Sequence, residues 1–195
     1  MADEGGEVHA QRLDITDDDS VEAVRQYAEA EFGGLDILVN NAASGFDPGN
    51  KAVDGNFVLA RVALETNLFG TWRMVYAFAP LLAKSEHSCI VNVSSGSGSF
   101  GDTELGLIAG HSDIPAYSIS KAALNALTVK LAVDLKEAGI LVNAVCPGLT
   151  ATWPGAEAMG ARPISEGAAG IVWAATLPKG GPSGKLFRDK KVLPW

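Results

Sequence analysis

The stretch CIVNVSSGSGSFG, residues 89–101, decides how this chain is read. Its left half is a near-continuous apolar run that ends in two serines. Its right half holds Gly96-x-Gly98-x-x-Gly101, the glycine spacing of a dinucleotide-binding turn. A short apolar run closed by polar residues is how a strand buried on both faces reads, and such strands belong to parallel sheets. Two more runs have the same character: LDILVNNA (35–42) and ILVNAVCPG (140–148).

Helical patterns lie between these runs. Asp19 with Glu22 suggests a capping box for a helix over 20–31, with Val21, Val24 and Ala28 on one face. Residues 57–83 read as one long helix with Pro80 near its end. Residues 115–138 read as another, closed by Gly139. Residues 184–188, GKLFR, read as a last strand. Alternating β and α at this spacing predicts a doubly wound, three-layer α/β/α sheet in a single domain over 1–195. Right-handed crossovers place the C-terminal strand ends on one edge, where ligands bind.

Bulk properties remove several classes of function. The chain has 195 residues, 47% of them apolar, and a net charge of −8. An acidic surface argues against nucleic acid or anionic membrane as partner. No apolar run approaches the ~20 residues of a membrane span. The opening MADEGGEVHA lacks the apolar segment of a signal peptide, so a cytoplasmic location is expected. Cys89 and Cys146 flank different strand runs. In parallel neighbours they stand roughly 15 Å apart, too far for a disulfide, so buried reduced thiols are expected. His9, His87 and His111 have no ligand-like spacing, and no metal is expected.

Chemistry enters with Tyr117 and Lys121 in YSISK. Residues four apart share a helix face. A lysine cation there favours the phenolate and lowers a phenol pKa that is ordinarily ~10. Such a tyrosine can give a proton to a developing alkoxide or take one from an alcohol. Alone, the pair reads as well as a solvated helix face. Its context is Ser94 and Ser95 at one strand end, Asn40 and Asn41 at another, and Asn67 inside a helix where asparagine has poor propensity.

Taken in order, DILVNNAA, TNLFG, IVNVSS, YSISK and NAVCPGLTAT resemble the short-chain dehydrogenase/reductase family, over nearly the whole chain from about Leu13. Ala43 stands where the family has a glycine. Ser95 precedes Tyr117 by 22 residues, a spacing that suggests an inserted loop, as in the carbonyl-reductase-like branch. The resemblance implies a Rossmann-like fold and an NAD(P)-dependent oxidoreductase interconverting carbonyl and alcohol. It implies Tyr117 as general acid/base and Lys121 as the residue that lowers its pKa and bonds the cofactor ribose. Ser95 would hydrogen-bond the substrate carbonyl, chosen over Ser94 because strand alternation points Ser94 the other way. Asn67 would hold a water relaying protons toward Lys121. Asp14 and Ile15 would lie by the adenine, Asn41 and Ala42 along the nucleotide, and Pro147, Gly148 and Thr150 beside the nicotinamide. A small carbonyl or alcohol substrate is implied, with a homodimer or homotetramer formed through the two long helices. Leu124, Leu127, Val129 and Leu131 are candidates for apolar surface there.

Against that pattern the glycines at 96–101 read as the sequel to Ser95, letting the backbone pass close to substrate and nicotinamide. A true dinucleotide turn opens a helix that packs on its strand. The family's own turn belongs near the N-terminus, and no glycine-rich turn after a strand is found there; Gly5 and Gly6 have no strand before them. The chain therefore reads as N-terminally incomplete, lacking the first two strands and the glycine-rich loop. Residues 8–14 are expected to pair with 36–40 or to detach, and NADP or NAD is expected to bind weakly or not at all. Either nicotinamide form remains open. A non-catalytic member of the fold acting as an interaction protein is the alternative. Epimerase or dehydratase work on a nucleotide sugar fits worse, because little chain follows Pro147.

Overall fold

A computed structural model describes residues 6–109 and 113–195; His111 lies outside them. The described elements run α1 (Asp18–Phe32), β1 (Ile37–Asn40), α2 (Phe57–Leu64), α3 (Thr71–Leu82), β2 (Cys89–Val93), α4 (Pro115–Asp134), β3 (Leu141–Val145), α5 (Ile164–Ala175), β4 (Leu186–Arg188) and β5 (Lys191–Leu193). The five strands form one sheet in chain order. β1 to β4 are parallel and β5 returns antiparallel. Every residue of β3 is buried, as its unbroken apolar run requires.

Helices cover both faces. Val21 of α1, Val75 and Phe78 of α3, and Leu124 and Leu131 of α4 pack with Ile90 and Val142 on one face. Ala174 and Ala175 of α5 pack on Val91 and Val145 on the other. This is the expected three-layer α/β/α arrangement. Leu124, Leu127 and Leu131 are spent on this core, so of the four residues read as interface candidates only Val129 is exposed. Cys89 and Cys146 are both free and buried. No described helix is long and apolar enough to cross a membrane.

Several boundaries differ from the sequence reading. α1 begins two residues earlier than predicted, and its cap is Asp17, not Asp19. Asp17 Oδ1 accepts from Ser20 N at 2.8 Å, while Glu22 is drawn away by Arg25 at 2.7 Å. The helix of 57–83 is continuous in direction but not in winding, because Glu65–Gly70 forms a π-helical turn between α2 and α3. α4 stops at Asp134, and a turn closed by Gly139 N on Lys136 O follows. The tail forms a hairpin: Asp189 and Lys190, at φ 52° and 63°, turn β4 back into β5. Paired left-handed residues suit a two-residue hairpin, but glycine and asparagine usually mark it, and Asp-Lys does not announce one.

Residues 8–14 form no strand and do not pair with β1. His9 instead lies on α1, with Nδ1 2.5 Å from the Tyr27 hydroxyl and its ring edge-on to Phe32. β1 is therefore an edge strand among the described residues, with Ile37 and Val39 each 40% exposed.

Candidate active site

The C-terminal ends of β1, β2 and β3 lie in register: Asn40 is level with Asn92, and Val93 with Val145. A buried amide ladder fixes that register. Asn40 Nδ2 donates to Asn92 Oδ1 at 2.9 Å, and Asn92 Nδ2 donates to Thr128 Oγ1 of α4 at 2.9 Å. α4 is thus tied to the strand ends by hydrogen bonds within the core.

Ser94 and Ser95 diverge as strand alternation predicts. Ser94 is buried and donates to Asn125 Oδ1 at 2.6 Å. Ser95 caps the 3-10 turn Gly96–Gly98, receives Ser97 Oγ at 2.9 Å, and lies close enough to the Tyr117 phenol to draw its pKa down. Lys121 is 1% exposed. Its Nζ donates to Val93 O at 2.8 Å and stands 5.5 Å from the Tyr117 ring centroid. Asn67 is fully buried in the π turn. Its Oδ1 accepts from Ser44 N at 2.9 Å, and its Nδ2 donates to Ser44 O at 3.0 Å and Ser120 Oγ at 2.8 Å. Both amide protons are used, which leaves one acceptor site on Oδ1. A π turn inside a helix is a frequent mark of a functional site, because it displaces one side chain from the helical register.

The electrostatics depart from the simple picture of a lysine lowering a phenol pKa. Burial pushes the Tyr117 phenol up to about 12, with Cys146 adding to the rise and the Ser95 hydrogen bond opposing it. Burial also brings Lys121 down to about 8. Both groups are desolvated, and desolvation outweighs what opposes it, the Ser95 interaction for Tyr117 and the charge at Cys146 for Lys121. The lysine linkage has a definite sign. The folded pKa lies below the unfolded one, so the penalty for a buried cation is fully present below pH 8. It is relieved as pH rises from about 8 toward 10.5, where the unfolded chain binds more protons. Stability from urea midpoints is expected to rise over that window in the native chain, and that contribution should vanish in Lys121→Met. An unchanged pH slope in the variant would contradict it.

The remaining predicted residues are placed as follows. Asn41 and Ala42 lie exposed just beyond β1. Asp14 is exposed, accepts from Thr16 N at 2.9 Å, and is held below the usual carboxylate range by its Thr16 hydrogen bonds. Ile15 packs on Gly70, where an added Cβ would meet its Cδ1 at 2.8 Å, and its carbonyl receives Arg73 Nη1 at 2.8 Å. Pro147, Gly148 and Thr150 follow β3, with Gly148 at φ 72° and Thr150 Oγ1 turned back on the Gly148 carbonyl at 3.2 Å. These groups border the strand ends and suit a nicotinamide riboside. One N–H of Lys121 is used on Val93, and two remain for hydroxyls. Among the described residues no glycine turn leads from a strand into a helix N-terminus.

The glycines at 96–101 lie hard against other parts of the protein. A Cβ on Gly98 would meet Ala122 N and Lys121 C at 2.5 Å, and one on Gly101 would meet Pro194 Cβ at 2.7 Å. A Cβ on Gly96 would strike the Arg188–Asp102 ion pair. The close approach on view is to α4 and the C-terminal hairpin. Sequence reading missed that ion pair, and also Arg162 with Asp189, which ties the 150–162 segment to the hairpin. It missed Asp47 as well, whose carboxylate accepts from Ala116 N at 3.0 Å and Tyr117 N at 3.1 Å. Ion pairs between residues tens of positions apart leave no periodic trace.

A parallel sheet with helices on both faces and a Ser-Tyr-Lys cluster at its strand ends defines a doubly wound oxidoreductase scaffold. The sequence matches the short chain dehydrogenase profile over residues 1–159, and the chain belongs to that family. It is 37% identical to a short-chain dehydrogenase of Penicillium roqueforti, over 93% of this chain and 73% of that protein. It is 33% identical to carbonyl reductase [NADPH] 3 of Mus musculus, over 94% and 78%. Among solved structures, NADPH-bound carbonyl reductase from chicken fatty liver superposes with a TM-score of 0.82 at 25% identity, covering 100% of this chain and 80% of its own.

Proposed function

We propose that this chain interconverts a small carbonyl compound and its alcohol with NADP or NAD, Tyr117 carrying the proton. The observation that carries the reading is the meeting of Ser95, Tyr117 and Lys121 at the end of β2. The names of the relatives support the substrate and cofactor classes.

When bound, the nicotinamide supplies or accepts the hydride at the reacting carbon. The protein handles the oxygen. In reduction, Ser95 donates to the carbonyl oxygen as negative charge gathers there, and Tyr117 delivers its phenolic proton to that oxygen. Lys121 is cationic below about pH 8 and stabilises the phenolate left behind. Asn67 holds the loop at Ser44 against α4 and keeps one acceptor site for a water in the proton relay. Gly148 and Thr150, with Pro147, border the ring; Asp14, Ile15, Asn41 and Ala42 lie toward the nucleotide end.

The test is oxidation of NADPH or NADH by the protein across a panel of aldehydes and ketones. Turnover is expected at saturating nicotinamide, with a high KM for it because no glycine turn among the described residues cradles its phosphates. Ser95→Ala is expected to lower kcat by roughly 10²–10³-fold, the value of one donor to a developing oxyanion. Absence of nicotinamide-linked turnover on every carbonyl, or full kcat in Ser95→Ala, would defeat the reading. The helices α2 to α4 support self-association, since Phe57, Trp72, Tyr76 and Val133 stand exposed on them. We place the contact of a homodimer or homotetramer there.

A further inference from the structure

Asp47 lies in a connection between β1 and α2, yet it is only 1% exposed. Its two carboxylate oxygens face one feature, the first turn of α4. Oδ2 accepts from Ala116 N at 3.0 Å and Oδ1 from Tyr117 N at 3.1 Å. The helix needs such a partner. Its first N–H groups have no carbonyl within the helix, and Ile114, at the cap position, has no side-chain acceptor. A carboxylate there also complements the positive end of the helix dipole. The same connection grips the helix twice more. The Phe46 ring meets the Tyr117 ring edge-on at 5.6 Å, and Gly49 N donates to Asp113 O at 2.9 Å. Asp47 is itself held, because Asn50 Nδ2 donates to its carbonyl at 2.9 Å.

We infer that Asp47 is a positioning residue: by capping α4 from the far side of the chain it sets where the Tyr117 hydroxyl stands relative to Ser95. This rests on Tyr117 being the proton carrier. Tyr117 is the third residue of α4, so an uncapped first turn releases its own backbone. The phenol is then anchored only by its ring and by Ser95. Misplacement of a reacting group by about 1 Å costs on the order of 10²-fold in rate. The capping carboxylate comes from 70 residues upstream, so one loop sets both the Ser44–Asn67 clamp and the placement of Tyr117.

The experiment compares Asp47→Ala and Asp47→Asn in the full chain, reading amide exchange along α4, the Cζ resonance of isotope-labelled Tyr117, and kcat with KM. In Asp47→Ala the amides of Ala116 and Tyr117 should exchange roughly five- to tenfold faster, the loss expected of one cap. Amides at Leu124 and Leu127 should be unchanged, the Tyr117 resonance should move, and kcat should fall on the order of 10²-fold with KM nearly constant. Asp47→Asn keeps one accepting oxygen and should recover most of the protection and most of kcat. It also keeps the test open should the alanine variant fail to fold. Unchanged amides at Ala116 and Tyr117, uniformly faster exchange along α4, or an asparagine variant no better than alanine would each overturn the inference. Loss of turnover in Tyr117→Phe with native amides and kcat in Asp47→Ala overturns the inference alone. Full turnover in Tyr117→Phe overturns the proton-carrier reading beneath it.

Discussion

Tyr117→Phe is expected to remove turnover, by roughly 10²–10⁴-fold or more, while leaving the fold in place. The substitution deletes one oxygen. The ring keeps its edge-on contact with Phe46, and the backbone N–H keeps its bond to Asp47. What disappears is the phenol hydroxyl and its interaction with Ser95. Ser97 Oγ also meets Ser95, but it donates to Ser95 itself. The phenol's pKa of about 12 keeps it protonated through neutral pH, so it is ready to act as an acid in the reductive direction. In the oxidative direction it must first ionise, so the oxidative rate should climb with pH. A Tyr117→Phe enzyme retaining a tenth of native kcat, with an unaltered melting curve, would show that the proton comes from elsewhere.

Gly45→Ala is expected to destabilise the fold by about 2–5 kcal/mol, the sum of a left-handed backbone cost and forced overpacking. Gly45 has φ 76°, and a Cβ there would lie 2.6 Å from Ala63 Cα and 2.8 Å from Ala63 N. Those are backbone atoms of a fully buried residue on α2, so no side chain can swing aside. The displacement would reach the neighbouring Ser44, whose N–H and C=O both bond Asn67. Gly49→Ala is the matched control. Its φ is 80°, but nothing lies within 4 Å of the added Cβ. It should cost only the conformational part, about 1–2 kcal/mol. Urea unfolding of the two variants separates the causes, and equal midpoints would mean that the contact with Ala63 imposes nothing.

Most of the scaffold was legible because its signals are local. β2 and β3 are short runs of apolar side chains, and each coincides with a strand buried on both faces. Strand alternation separated Ser94 from Ser95, and the structure turns one toward Asn125 and the other toward Tyr117. The misplaced boundaries fall where several similar residues compete. Asp17, Asp18 and Asp19 are chemically alike, and only the hydrogen bond from Ser20 N selects Asp17 over the expected Asp19. Residues 8–14 looked like a strand, but a strand is a property of a pair, and they have no partner among the described strands.

By itself, the sequence determined the alternation of strands and helices, the sheet edge on which the polar strand ends gather, and the spacing of Tyr117 and Lys121 on one helix face. These follow from periodicity and chain handedness, which act over a few residues at a time. Only the tertiary structure decided what surrounds that pair. Burial draws the pKa values of Lys121 and Tyr117 in directions that spacing alone does not foretell. Asp47 meets α4 from 70 residues away, and Arg188 closes on Asp102 from 86. Contacts of that reach depend on where folding brings distant segments together, and desolvation depends on everything packed around a group. Neither is written in the order of neighbouring residues.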